Sequence, residues 1–454
     1  MADDPRTSRD RPPEPGPGVA RASSGTSASV PEPTGPLRGV AVCDLSTVLA
    51  GPYCTMLLAD LGADVVKVEP PGGDGTRLWG PPYAGAAEPG RAYPPDDPRS
   101  DPAYAGESTY YLAINRNKRD IRLDLRSPAG TEVLRRILVR SDVLVENYRP
   151  GGLASLGFPE PELERVNPRL VHLAISGYGP DGPYRDRPGY DFIVQAMAGL
   201  MSITGRPEAE GGEPTKVGVA IADLATGMLG AVAILAALAG RELPGSPAFG
   251  RGQRIDLSLL EGTVAWLANQ ASGYLAGGVV PGRLGNEHPS ITPYETFRTA
   301  DGTLAVAVGS ERQWRSFCDV LERPDLADDG RYATNAARVA HRAELRPLLQ
   351  GILAAAASSH WLARLVAADV PCGPINDLAA VFEDPQVLAR RMVESVAHPT
   401  LGHVRMTGIP YKLSATPGNV RSAPPLIGQH AAEILGELGF EPWEIERLRR
   451  EHVV

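Results

Sequence analysis

From Leu37 onward, short apolar runs alternate with segments whose apolar residues recur at helical spacing. LRGVAVCDLS reads as a strand, PYCTMLLADLGA as a helix and DVVKVEPP as a second strand, together a βαβ unit. The pattern returns in the strand RDIRLDL, the helix PAGTEVLRRILVRS opened by Pro128, and the strands DVLVENY and RLVHLAISGYG. Such alternation predicts an α/β fold, a parallel sheet covered on both faces and joined by right-handed crossovers. Ligands on such sheets bind beyond the strand C-terminal ends. There this chain carries Asn147, Tyr148 and Arg149 after DVLVE, and the turn LAGP (Leu49 to Pro52) leading into a helix. No GxGxxG accompanies the first unit, and the helix N-terminus after LAGP is a candidate phosphate seat.

Further along, GRGQRIDLSLLEGTVAWLANQASGYLAGG predicts a turn, a short strand and one amphipathic helix. SITPYETFRTADGTLAVAVGSERQWRSFCDVL predicts two strands joined at Ala300-Asp301-Gly302 and then a helix, the start of a smaller α+β domain. The last stretch, GQHAAEILGELGFEPWEIERLRREHVV, reads as helical. The expected division is a disordered Pro-, Ser- and Gly-rich tail over 1–36, a large domain over 37–280 and 400–454, and a small domain with linkers over 281–399. A Pro/Gly-rich surface excursion separates the first two strand-helix units.

Residues 217–240, VGVAIADLATGMLGAVAILAALAG, contain one ionisable side chain, Asp223. Length and apolarity would suit a membrane span, but the flanking sequence is globular and a carboxylate in hydrocarbon is costly. A second reading makes Asp223 the N-cap of a buried helix, LATGMLGAVAILAAL. A third makes it a reactive group, held ionised by helix amides that also stabilise an anionic intermediate. The last two are compatible.

Composition narrows the setting. The 454 residues are 43% apolar and 22% charged with a formal charge of −9, ordinary for a soluble protein and unsuited to general nucleic-acid binding. No basic amphipathic helix suggests membrane docking. The four cysteines, Cys43, Cys54, Cys318 and Cys372, form no CxxC pair, and the eight histidines form no HxH or HxxxH, so no metal site is expected and a reducing cytoplasm is the simplest compartment. Cys54 follows Pro52 near a helix start, where a thiolate could be activated, although a buried structural thiol is the plainer reading.

Several blocks, in order from Leu37 to the C-terminus, resemble the class III CoA-transferases, the CaiB/BaiF family. They are DLSTVLAGPYCTMLLADLGADVVKVEPPGGDGTR, NRNKRDIRLDL, DVLVENYRPGGLASLGF, NPRLVHLAISGYGPDGPYRDRPGYDFIVQAMAGLMSITG, GRGQRIDLSLLEG and PLIGQHAAEILGELGF. The resemblance implies a Rossmann-like large domain plus a small domain, in an interlocked homodimer of ring-threaded chains. It implies no permanently bound cofactor: coenzyme A enters as the thioester substrate, and the partners are an acyl-CoA and a small carboxylic acid. The residue at the family's nucleophile position is Asp223, which would pass through an anhydride and an aspartyl-CoA thioester. Position by position, Leu49 and Ala50 would lie near the pantetheine end, Leu123, Asp124, Leu125 and Arg126 around the adenine, and Asn147, Tyr148 and Arg149 along the cofactor.

Two positions depart from the formyl-CoA transferase pattern: Pro70 and Ser155 stand where that enzyme has arginines, which leaves Arg149 or Arg77 to meet phosphate charge. LGNEHPSITPYETF replaces its glycine-rich loop, which argues against an oxalate-specific role. Racemases of the same fold carry His in their PG.D block as one of two acid/base groups. Tyr190 stands there in this chain, and a phenol is a poor base at neutral pH. Asp191 matches an active-site acid of the family, or is an ordinary cap for FIVQAMAGLM. A racemase-like enzyme and an inactive CoA-binding protein remain the alternatives to a transferase.

Overall fold

The structure, a computed structural model, describes residues 31–86, 98–101 and 104–454. Residues 1–30 of the expected tail, and part of the Pro/Gly-rich excursion, lie outside the described residues. Six strands, β1 (Ala41–Asp44), β2 (Asp64–Glu69), β3 (Lys118–Arg122), β4 (Val143–Glu146), β5 (Val171–Ser176) and β6 (Arg254–Ser258), form one sheet in the order β3-β2-β1-β4-β5-β6. All its pairings are parallel. β1, β2 and β4 are buried on both faces, which is why they read as near-continuous apolar runs.

The helices around the sheet are α1 (Ala50–Asp60), α2 (Thr109–Ile114), α3 (Pro128–Arg140), α4 (Asp191–Met197) and α5 (Ile221–Glu242); α1, α4 and α5 share one core and α3 the other, while α2 packs against α1. α3 starts where its chemistry dictates: Pro128 occupies the first turn and the Ser127 hydroxyl accepts the Gly130 N–H at 3.0 Å. Its apolar side, Val133, Leu134, Ile137 and Leu138, shares one core with Leu144 and with C-terminal residues Ile434, Leu435 and Leu448. The opposite core joins Cys54 and Leu58 of α1, Ile234 and Leu238 of α5, and Val65, Val143 and Leu173 of the sheet. By length and composition α5 is apolar enough to cross a membrane, but half of its most apolar window is buried within the protein fold.

The single amphipathic helix expected after β6 is in fact two, α6 (Leu259–Ala265) and α7 (Ala268–Leu275). The chain breaks at Trp266-Leu267, and α7 starts at Ala268 with a left-handed φ of 43°, which the interior of one continuous α-helix would not accommodate. The final helical stretch likewise divides into Ala431–Glu437 and Pro442–Arg450, interrupted by Gly439 at φ 83°. A three-stranded antiparallel sheet, β7 (Tyr294–Arg298), β8 (Thr303–Ala307) and β9 (Cys372–Pro374), has its own core of Phe297, Leu304, Val306, Trp314, Phe317, Leu349, Trp361 and Leu365. A hairpin follows, β10 (Val393–His398) with β11 (Gly402–Thr407).

Candidate active site

The strand order reverses between β1 and β4, so the chain leaves these neighbouring strands on opposite faces and opens a crevice beyond their C-terminal ends. An open cleft of about 240 Å3 lies there. Thr47, Val48 and Ala50 line it from the β1 side, Asn147, Tyr148 and Arg149 from β4, Tyr190 from the segment before α4, and Asp223 from α5. Residues 147–149 and 223, chosen from sequence for different reasons, thus meet in one cleft. The Thr47 N–H donates to Asn147 Oδ1 at 2.9 Å and Asn147 Nδ2 returns a bond to the Thr47 carbonyl at 2.7 Å, tying the two strand ends together.

Asp223 is not the N-cap of its helix. α5 begins at Ile221 after Ala220, which places Asp223 in the first turn and leaves its carboxylate free to face another element. That element is α1: its first residue, Ala50, lines the same cleft, and its backbone N–H bears on the Asp223 carboxyl and lowers it. Close helix packing makes the approach possible: a Cβ on Gly227, one turn further along α5, would sit 2.6 Å from the Ala50 carbonyl oxygen. The capping of α5 falls instead to Asp191, whose Oδ1 accepts the Ala222 N–H at 2.8 Å while its Oδ2 accepts from Gln195 Nε2 at 2.7 Å. Asp191 therefore caps a helix distant in sequence, and its own helix α4 is preceded by Tyr190 at the N-cap position.

The expectation that helix amides alone hold Asp223 ionised is corrected by its surroundings. Burial and the neighbouring Asp191 charge push its carboxyl up to about 7, against the lowering influence of the Ala50 N–H. One amide does not offset desolvation plus a like charge. Tyr110 of α2, which sequence reasoning missed, lies in the same field: burial, then Asp223, Asp191 and Asp74, raise its phenol to about 12. Tyr190 is 64% exposed at the cleft mouth.

The other sequence candidates are placed differently. Leu49 is buried at the N-cap position of α1, beside the cleft rather than lining it. Leu123 is fully buried in the core, Leu125 packs against it, Asp124 accepts the Arg126 N–H at 3.0 Å, and none of 123–126 lines the cleft. Arg77 is not available to a phosphate: its guanidinium holds Glu69 with two bonds of 2.8 Å and the Tyr111 hydroxyl at 2.6 Å. Arg185 and Arg187, by contrast, line the cleft with Arg149, and sequence reading missed both. The doublet RDRPGYD lies in the segment that crosses the C-terminal ends of the strands, which is the signal that would have found them. Arg149 makes no ion pair among the described residues. Cys54 is fully buried and its thiol is pushed up by burial, so it is structural. No cluster of three or more His, Cys, Asp and Glu is arranged for a metal among the described residues.

Comparison with known proteins places this geometry. Residues 37–431 match the model of CoA-transferase family III. The chain is 43% identical to succinate–glutarate CoA-transferase of Agrobacterium fabrum, across 89% of this chain and 96% of that protein. It is 40% identical to the human succinyl-CoA:glutarate CoA-transferase, across 89% of this chain and 86% of that one. The crystal structure of a CAIB/BAIF family protein from Brucella suis superposes with a TM-score of 0.76 at 40% identity, covering 89% of this chain and all of the other.

Proposed function

Because the chain belongs to the class III CoA-transferases and is an enzyme of that family, we propose that Asp223 is the nucleophile that carries CoA from a donor acyl-CoA to an acceptor acid. The observation that carries the proposal is the position of Asp223: a carboxylate in the cleft at the sheet's reversal point, beside Ala50 at the N-terminus of α1. In the first step a carboxylate oxygen attacks the thioester carbonyl and the C–S bond breaks, giving a mixed anhydride and CoA thiolate. The thiolate then attacks the Asp223 acyl carbon, which releases the donor acid and leaves an aspartyl-CoA thioester. The acceptor carboxylate attacks that thioester, and the freed thiolate attacks the acceptor side of the new anhydride. The new acyl-CoA departs and Asp223 is regenerated. Charge moves among carboxylate, alkoxide-like and thiolate oxygen or sulfur atoms, and the positive N-terminal end of α1 beside Asp223 favours that negative charge.

The names of the relatives support a short dicarboxylate such as succinate or glutarate as substrate. The arginines support the same reading from the side of CoA: Arg149, with Arg185 and Arg187, gives the cleft three cations for phosphate oxygens. Arg149→Ala is expected to raise KM for the acyl-CoA about tenfold with kcat within about threefold, and to flatten the salt dependence of KM. A fall in kcat with KM unchanged would remove Arg149 from ground-state CoA binding. The interlocked homodimer belongs to this proposal too, supported by the match to a family structure over its whole length. So does a cytoplasmic setting, supported by four unpaired cysteines.

The direct test is trapping. The protein incubated with succinyl-CoA and hydroxylamine should acquire a hydroxamate at Asp223, located by peptide mass spectrometry. Turnover of succinyl-CoA and glutarate with Asp223 unmodified would sink the nucleophile assignment.

A further inference from the structure

Behind the Ser46–Ala50 turn lies a set of buried charges that the scheme above does not use. Lys67 and Asp74 form an ion pair at 3.0 Å with neither side chain exposed at all. Lys67 sits in β2, in the run VVKVE, and both faces of that strand are covered. Removing an ammonium from water is expensive, and a buried pair repays that cost poorly as stability; its better-attested use is to specify one geometry. The geometry at stake is unusual. Val48 has a φ of 70°, a left-handed backbone that a β-branched residue keeps only when its surroundings hold it there.

What holds it can be traced bond by bond. Lys67 Nζ donates to the Ser46 carbonyl at 2.9 Å and to Asp74 Oδ2 at 3.0 Å. Asp74 Oδ1 accepts the Thr76 N–H at 2.9 Å and, more distantly at 3.4 Å, the N–H of Val48 itself. Asp44 Oδ1 accepts the Ser46 N–H at 3.0 Å. Gly51 completes the fit, because a Cβ there would lie 2.2 Å from Ser46 Oγ, so the first turn of α1 rests directly on Ser46. Two residues beyond Val48 is Ala50, which lines the same cleft as Asp223.

We infer that Lys67 is a positioning residue for the transfer reaction: through the Ser46 carbonyl and Asp74 it holds the strained turn that seats Ala50 and the start of α1 against α5 in the cleft that Asp223 lines. The inference rests on Asp223 being the nucleophile. It differs from a purely structural role in what it predicts for catalysis. Loss of the clamp slows acylation of Asp223 while leaving acyl-CoA binding in place. Relief of the strain at Val48 makes the clamp less necessary, because glycine accepts that φ at little cost.

The experiment compares wild type, Lys67→Met, Val48→Gly and the double variant in single-turnover acylation by succinyl-CoA, with folding checked by circular dichroism. Lys67→Met is expected to slow acylation at least about tenfold with the dissociation constant for succinyl-CoA within about threefold. Val48→Gly sets the second background, whatever its own rate: within it, Lys67→Met should cost several-fold less than it does in wild type. A folded Lys67→Met with the wild-type rate, or a loss that Val48→Gly does not relieve, overturns the positioning role. Should Lys67→Met fail to fold, Asp74→Asn takes its place in the same cycle, since it keeps an acceptor for the Val48 N–H but weakens the hold on Lys67: slowed acylation that Val48→Gly relieves supports the clamp, and a folded variant with the wild-type rate overturns it. Absence of any adduct on Asp223 in wild type would instead sink the nucleophile, a separate outcome.

Discussion

Asp223→Asn is expected to stop CoA transfer and, at neutral pH, to make the protein more stable. The amide fills the same space but offers no nucleophilic oxygen, so kcat should fall by at least about 10^4-fold, the scale seen when a covalent nucleophile is removed. Binding of acyl-CoA should persist, because the cleft arginines and the Thr47–Asn147 tie do not depend on the charge. The gain in stability follows from linkage. The Asp223 carboxyl is raised from 3.8 to about 7 in the folded protein, so the native state binds its proton more tightly than the unfolded chain does. Its favourable contribution is complete below pH 3.8 and is lost as pH rises through about 7. Above that, the buried anion costs as much as about 4 kcal/mol, an upper bound that a permanently neutral Asn avoids. Melting curves at about pH 8 should place the variant above wild type, and the gap should close toward about pH 4. An Asn variant that keeps measurable transfer, or that melts lower at every pH, would contradict this account.

The second large effect is on the rate as a function of pH. Attack requires the ionised carboxylate, and in the free protein half of it is ionised only near pH 7. The kcat/KM for acyl-CoA should therefore fall about tenfold for each unit below 7 and level off above it. The causes of the shift, burial and then Asp191, give a second handle. Asp191→Asn removes the like charge while keeping an acceptor for the Ala222 N–H, and should move the acid limb to lower pH. A kcat/KM profile flat from about pH 5 to 8 would mean that the free enzyme already holds Asp223 ionised, or that another step limits the rate.

Much of this was legible in the chain. The alternation of apolar runs predicted the strands that form the sheet, because strands buried on both faces must be nearly all apolar. A lone carboxylate in an apolar helix marked Asp223, since its burial needs a reason. The harder parts depend on contacts between distant residues. That Asp191 caps α5 rather than its own helix is set by tertiary packing across 31 residues, and local propensity assigns a cap only to its nearest helix. Lys67 stands in the strand DVVKVEPP with nothing nearby in sequence to mark its partners, because the charge network it enters is assembled from the turns after β1 and β2. Arg77 carried no sign that Glu69 and Tyr111 would claim it. The break at Trp266 left no Gly or Pro to announce it, and helix periodicity ran straight through.

The apolarity of α5, which makes it resemble a membrane span, has a use in water. An acyl anhydride and an enzyme-bound thioester are both open to attack by solvent, and each water that reaches them wastes one activated acid. After Asp223, α5 presents Leu224, Ala225, Thr226 and Gly227, with no further ionisable group until Arg241. Ala225, Thr226 and Gly227 are buried. A helix wall of that kind offers a water molecule few partners near the reacting carbon. In the proposed scheme, the composition that mimics a lipid-facing helix would favour transfer over hydrolysis of the intermediates on Asp223.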